Sequence, residues 1–424
     1  MRTVLVGGAL AIASWVTLEA GLPAALAQES RSTGRDGAAD ARVAQMLGDG
    51  ARGAPASDIS PARTEGGSTT FVRHLGLLRS PKVSAAGDGV AIAASGDCAD
   101  EPGRLETGIG QPATFIVVSK LGDDGTRLWT RTFFGLCPRP QGDDEPPRIA
   151  GIGADRVGNI YVAGDLTAEF SPVDLGTGPL TAAGGHDVFV ASFDAAGKPR
   201  WSKRFGDGAD QRARGLSVSS EGLVAITGSL EGSVDFGGGA FSSTGKSDAF
   251  VAVFDSAGQH LASHAFGDAG DQRGDLIALG SHGELTIAGR YESTIDLGGG
   301  RLPASSTGRN FIAHYQDNGP GSSPRYSFGY AKALPPGVTV GALAGGRDDV
   351  YLAGAFRGTV DFGGLALKAH DPDDRNAPVS DAYILRLDGA GKYVFARAFG
   401  LGGVHRIEGL ALAHDLWLAG GSQE

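Results

Sequence analysis

Short apolar runs separated by glycine and aspartate fill the chain from about residue 68 onward, and these runs recur as phrases. A phrase ending in Phe-Gly stands at Phe134-Gly135, Phe205-Gly206, Phe266-Gly267, Phe328-Gly329 and Phe399-Gly400. Leu75-Gly76 is a degenerate first copy, and the spacings are 59, 71, 61, 62 and 71 residues. A second phrase keeps the same beat at Ile160–Gly164, Val224–Gly228, Leu285–Gly289, Val350–Gly354 and Leu416–Gly420, with Val90–Ala94 as its sixth member. A third lies between them at Phe189–Phe193, Phe250–Phe254, Phe311–Tyr315 and Tyr383–Leu387, with Phe115–Leu121 in the first unit. Each unit adds a glycine-containing run before the second phrase, as in Gly215–Val218. Runs this short, rich in Val, Ile, Phe, Tyr and Trp and bounded by Gly and Asp, read as strands.

The connections agree with that reading. Asp123-Asp-Gly125, Asp194-Ala-Ala-Gly197, Asp255-Ser-Ala-Gly258 and Asp388-Gly-Ala-Gly391 read as hairpin turns between the third and fourth strands. Asp closes such a turn and Gly takes its left-handed position. Four antiparallel strands per unit is the sequence form of a propeller blade, although the familiar propeller repeats run at about 40–50 residues and these at about 60–70. The excess lies between the second and third strands of each unit. The expected fold is therefore an all-β β-propeller of six four-stranded blades. Five are whole; the sixth is composite, Thr69–Gly76 joining Arg406–Gly420 so that both open edges are hidden. An open array of the same units is the structural alternative.

The first residues have a different pattern. Met1-Arg2-Thr3, an apolar stretch from Val4 to Leu18 and Ala25-Leu26-Ala27 before Gln28 form the layout of a cleavable export signal. Glu19, Gly21 and Pro23 interrupt the stretch before the about 20 residues a membrane span needs. The expected division is 1–27 signal peptide, 28–66 disordered leader and 67–424 repeat domain. The only cysteines are Cys98 and Cys137, so no cysteine stands at the cleavage site to carry a lipid. A secreted, periplasmic or cell-surface location is expected.

Composition narrows the partners. The net charge of −11 argues against nucleic acid and anionic membrane, which demand clustered Lys and Arg. Glycine, at 70 of 424 residues, fits many tight turns.

Trp201–Gly206, Gly206–Asp210, Gly158–Gly164, Val234–Gly238 and Ser247–Ala252 together resemble the bacterial SBBP-type β-propeller repeat. The resemblance covers about residues 69–424 and is weakest in the first unit, which lacks the Val-Asp-Phe-Gly-Gly phrase. It implies a secreted or cell-surface propeller and brings no shared catalytic residues with it.

Candidate chemistry is sparse. Cys98 follows the second strand of the first unit and Cys137 its fourth, ends that emerge on the same face of an up-and-down sheet. An exported chain favours their oxidation to a disulfide; two separate thiols are the alternative. Asp174, Asp235, Asp296 and Asp361 share a Val/Ile-Asp-Phe/Leu-Gly phrase. Each reads either as a calcium ligand or as a turn-ordering residue whose apolar neighbour packs on the sheet, and lone carboxylates favour the second.

Gly-Asp-x-x-Asp-Gln-Arg occurs at Gly206–Arg212 and Gly267–Arg273. Arg148, Arg212 and Arg406 stand three residues before the glycine of an innermost strand, and Arg273 holds the matching place. They form either a ring of binding residues for an anionic ligand or a set of Asp–Arg pairs stitching blades together, Arg406 alone lacking acidic neighbours in that reading. His260 and His264 flank an expected strand, too far apart there for one metal. No nucleophile elbow, zinc-binding His-Glu-x-x-His or P-loop occurs. No cofactor or metal is expected. The leading expectation is a non-catalytic binding or scaffolding module for a protein or glycan; the rival is a hydrolase with carboxylates at the channel mouth.

Overall fold

The computed structural model describes residues 4–7, 14–18, 61–63, 69–74, 79–86, 89–96, 114–122, 126–135, 147–168, 171–346, 349–364, 366–369, 380–400, 404–412 and 416–423. Its regular elements are β-strands, and among the described residues no helix is long and apolar enough to cross a membrane. Four strands precede the repeats: β1 (Val4–Gly7), β2 (Ser14–Leu18), β3 (Pro61–Arg63) and β4 (Thr69–His74).

Five four-stranded antiparallel sheets then follow in chain order. The first is β5 (Arg79–Ala85), β6 (Gly89–Gly96), β7 (Thr114–Gly122) and β8 (Arg127–Gly135). The second is β9 (Arg148–Ala154), β10 (Ile160–Thr167), β13 (His186–Phe193) and β14 (Pro199–Phe205), with a side hairpin of β11 (Val173–Asp174) and β12 (Pro179–Leu180). The third is β15 (Gln211–Val218), β16 (Val224–Leu230), β19 (Asp248–Phe254) and β20 (His260–Phe266), with β17 (Ser233–Asp235) and β18 (Ala240–Ser242) as its side hairpin. The fourth is β21 (Gln272–Leu279), β22 (Leu285–Ser293), β23 (Ser305–Asp317) and β24 (Tyr326–Ala333). The fifth is β25 (Val338–Gly345), β26 (Asp349–Phe356), β29 (Asp381–Asp388) and β30 (Tyr393–Phe399), with side hairpin β27 (Thr359–Asp361) and β28 (Ala366–Lys368). In the second, third and fifth sheets the side hairpins account for the long excursions between second and third strands.

The sheets stack like blades. Apolar clusters form between consecutive sheets: Ile152 and Val162 of the second pack with Ile116 and Val118 of the first, and Val188 and Val190 with Ile226 and Phe250 of the third. The second to fifth sheets thus bury both faces against neighbours, which explains why second strands such as Val224–Leu230 are buried along their whole length. The first strands of successive sheets touch in chain order, β5 to β9, β15, β21, β25 and finally β31 (Val404–Leu412).

Five of these inner strands, β9 onward, carry an irregularity at an equivalent place. The pairing skips Ala150, Arg214, Asp275, Gly341 and Glu408 in turn, a β-bulge that bends the strand and re-aims one side chain. The bulge explains the glycine ending the second phrase. A Cβ on Gly228 would strike the Arg212 carbonyl, and one on Gly289 the Arg273 carbonyl.

The sixth sheet departs from expectation. β31 pairs with β32 (Leu416–Gln423), and the other neighbour of β32 is β2. β4 lies instead between β1 and β3. The N-terminal strand on β32 is therefore Ser14–Leu18 rather than Thr69–Gly76. An open edge of unpaired amide groups accepts an extended segment within reach, and in the uncut chain Ser14–Leu18 fills that place. β3 also puts a strand inside the segment expected to be a structureless leader; residues 28–60 of that leader lie outside the described residues.

Candidate functional site

At one end of the stack, where inner strands begin and second strands end, two cavities adjoin. The first, about 320 Å³, is lined by Asp210, Arg212, Arg214, Glu231, Asp271, Arg273, Arg290 and Glu292 among others. The second, about 790 Å³, runs from Arg290 past Thr307, Arg309, Pro336 and Arg357 to Arg406. A third, of about 320 Å³, opens at the opposite strand ends around His282, Glu284, His314 and Asp349.

The expected ring of arginines is partly assembled. Arg212 and Arg273 line the first cavity and Arg406 the second. Arg148 lines neither. Its Nη2 donates to the Ala213 carbonyl of the next sheet at 3.0 Å, and its Nε lies 3.5 Å from Asp165.

The ion pairs are mostly local. Arg212 meets Asp210 at 3.2 Å and Arg273 meets Asp275 at 2.8 Å, each two residues away in sequence. Arg406, read from the sequence as lacking an acidic neighbour, meets Glu408, two residues on, at 2.6 Å. Stitching between sheets falls to other contacts: Arg148 on Ala213, the Ala213 amide on Asp165 at 2.6 Å, and Arg214 on Asp275 at 4.0 Å.

Among the first strands the charges interact over longer range. Lys82 on β5 reaches solvent between enclosing strands; that enclosure, then repulsion by Arg148, lowers its pKa, while Glu408 on β31 raises it.

The Gly-Asp-x-x-Asp-Gln-Arg phrase folds as a loop clamp. Gln211, fully buried, accepts the Asp207 amide at 2.9 Å and donates to Asp207 Oδ1 and to the Glu231 carbonyl. Asp207 also accepts the Ala209 and Ser233 amides, and these donors, Ala209 first, hold its carboxyl below the usual range. Gln272 and Asp268 repeat the arrangement with Glu292 and Thr294. The clamp ties the loop entering a blade to the loop leaving that same blade's second strand, and Glu231, Gln272 and Glu292 line the first cavity.

Asp174, Asp235, Asp296 and Asp361 each give one oxygen to two backbone amides, those of Gly176 and Gly178, Gly237 and Gly239, Gly298 and Gly300, and Gly363 and Gly364. Leu175, Phe236 and Leu297, the residues that follow the first three, are buried. These aspartates order turns. His260 and His264 lie within β20 rather than beside it, His260 on Ser263 at 2.8 Å and His264 against Phe266. Among the described residues no group of three His, Cys, Asp or Glu is placed to hold a metal. Cys98 and Cys137 lie outside the described residues.

Arg290, Arg309 and Arg357 were not singled out by the sequence. Each stands alone in its repeat position, so no periodic signal marks it.

No family model matches the chain. A curated relative, regulatory protein FlaEY of Caulobacter vibrioides, is 27% identical over 160 residues, 37% of this chain. That stretch spans 16% of the relative's own length. Among solved structures, YCF48 bound to D1 peptide is 14% identical with a TM-score of 0.33, covering 85% of this chain and 83% of that one. The β-propeller domain of the trilobed protease from Pyrococcus furiosus is 11% identical with a TM-score of 0.29, covering 77% of this chain and 96% of that one.

Proposed function

We propose that this chain is an exported, non-catalytic propeller of six blades, akin to the SBBP-type repeat proteins, that binds a protein or glycan at the mouth where its inner strands begin. The observation that carries the reading is the pair of adjoining cavities there, joined through Arg290 and walled by side chains from consecutive blades. The electrostatic proximity of Lys82 and Glu408 supports closure of the ring at its centre. In the exported chain, loss of residues 1–27 removes β2 from the β32 edge, and β4 is the strand left to complete the sixth blade.

Two carboxylates at the mouth are committed to cations, which favours binding over hydrolysis there. Asp210 is engaged by Arg212 and by the His186 amide, and Asp271 by Lys246 at 3.2 Å. A general acid needs a clear approach to the leaving group, and these two are occupied by their partners. The test is a glycan array and a proteomic pull-down with the exported chain. Selective capture of one ligand class supports the reading, and turnover of a captured glycan would replace it with the hydrolase.

A further inference from the structure

The larger cavity differs from its neighbour in charge, and strand register shows how. In β13, β19 and β29 the residue two before the core aromatic is a buried aspartate: Asp187, Asp248 and Asp381, before Phe189, Phe250 and Tyr383. In β23 the same place, two before Phe311, is Arg309. Three residues beyond the glycine of the second phrase, the third and fourth blades carry Glu231 and Glu292; the fifth carries Arg357. One residue beyond that glycine, the second blade carries Asp165 and the fourth carries Arg290. Three positions that are acidic in other blades are thus arginine here, and all three line one cavity.

No Asp or Glu stands among the described residues lining that cavity, in a chain of net charge −11. Arg290 is held by its Nη2 bond to the Thr307 carbonyl at 2.8 Å and Arg309 by its Nε bond to the Leu334 carbonyl at 2.7 Å. Each guanidinium keeps further N–H groups for a ligand. Arg357 is exposed and makes no side-chain ion pair among the described residues. Arg406 and Arg290 retain acidic neighbours outside the wall, Glu408 at 2.6 Å and Glu292 at 4.0 Å. The extended β23, 13 residues against seven or eight in the third strands of the second, third and fifth blades, supplies the hydroxyls of Ser305, Ser306 and Thr307 along one side.

We infer that this groove between the fourth and fifth blades binds an acidic sugar chain, its carboxylates on Arg309 and Arg357 and its hydroxyls on the β23 wall. This rests on the binding reading of the mouth and gives it a ligand class. Guanidinium forks match carboxylates, and the groove offers no exposed aromatic side chain to anchor a peptide. Phe356, the aromatic of its lining, is fully buried.

The test uses Arg309→Asp and Arg357→Glu, which install residue types other blades already hold at these places, so the fold has a precedent for them. The exported chain and both variants are titrated calorimetrically with hexagalacturonate, neutral maltohexaose and hexaglutamate in low salt, with thermal melts as the folding control. The inference expects hexagalacturonate to bind, maltohexaose to bind at least tenfold more weakly, and each folded variant to lose at least tenfold for the uronate. It is overturned if the uronate fails to bind the folded wild type, if Arg357→Glu binds it unchanged, or if hexaglutamate binds more tightly. A ligand captured by wild type and both variants alike in the array or pull-down would overturn the groove assignment while leaving the binding module in place. Capture of nothing by wild type would remove both.

Discussion

The Asp165 carboxylate, on the second strand of one blade, accepts the backbone amide of Ala213 in the next blade at 2.6 Å across 48 residues of sequence. It is 1% exposed, and burial pushes its carboxyl from 3.8 up to about 7 against the opposing pull of Arg148 and the Ala213 N–H. Arg148, whose Nε lies 3.5 Å from the carboxylate, also donates to the Ala213 carbonyl at 3.0 Å.

That shift gives a pH dependence with a definite sign. Between about pH 4 and 7 the unfolded chain has released this proton and the folded chain has kept it, so stability falls as pH rises through that window and levels off above it. Asp165→Asn should flatten the slope. Urea unfolding from pH 4 to 8 should show the balance moving toward the variant by at most about 4 kcal/mol. A parallel offset at every pH would refute the shifted carboxyl.

Blades are also stapled at their outer strands. Trp201 donates its indole N–H to the Ser256 carbonyl of the next blade at 3.0 Å, and its ring lies where a Cβ on Gly258 would sit, at 2.9 Å. Trp129 makes the same contact with Ala195 and Gly197. Trp201→Ala should cost about 3 kcal/mol in chemical denaturation. Gly258→Ala should destabilise as well, since φ there is +77° and the added methyl meets the indole.

The clamp glutamines at the mouth, Gln211 and Gln272, are buried and engaged on both sides of the amide. Gln211→Ala leaves the Asp207 amide and the Glu231 carbonyl without their partner, a loss of about 1–3 kcal/mol. Hydrogen exchange should quicken locally in residues 207–211 and 231–233, and uniform protection there would contradict the clamp.

Chelation tests the turn aspartates. Because Asp174, Asp235, Asp296 and Asp361 each give an oxygen to backbone amides, EDTA should leave the melting temperature unchanged. A fall of several degrees would mean that a cation occupies these turns.

Much of this architecture is legible in the sequence, because strand phrases and Asp-to-Gly hairpins are local signals that repetition amplifies. The bulges at Arg214, Asp275 and Glu408 are not, since an extra residue in a strand leaves the apolar pattern nearly intact. The glycine opposite each bulge was visible in the repeat, but its reason, close approach of an inner-strand carbonyl, appears only in three dimensions. The mouth was legible through Arg212, Arg273 and Arg406, which recur in register. Arg309 and Arg357 were hidden because they break the register, and their meaning emerges only when strand pairing aligns them with Asp248 and Glu231. The pairing of β2 with β32 was hidden too, because an open edge is set by which strand reaches it rather than by any local motif.

A single mouth exists only if the ring is closed, with the blade containing β31 meeting the blade containing β5 where Glu408 acts on Lys82. Deleting residues 404–424 from the exported chain, and following unfolding and aggregation against the intact chain, measures that closure. Closure predicts loss of stability throughout the molecule, with exposed edges driving aggregation. A soluble monomer unfolding at nearly the intact midpoint would contradict it and leave an open stack, in which each blade leans only on its neighbours.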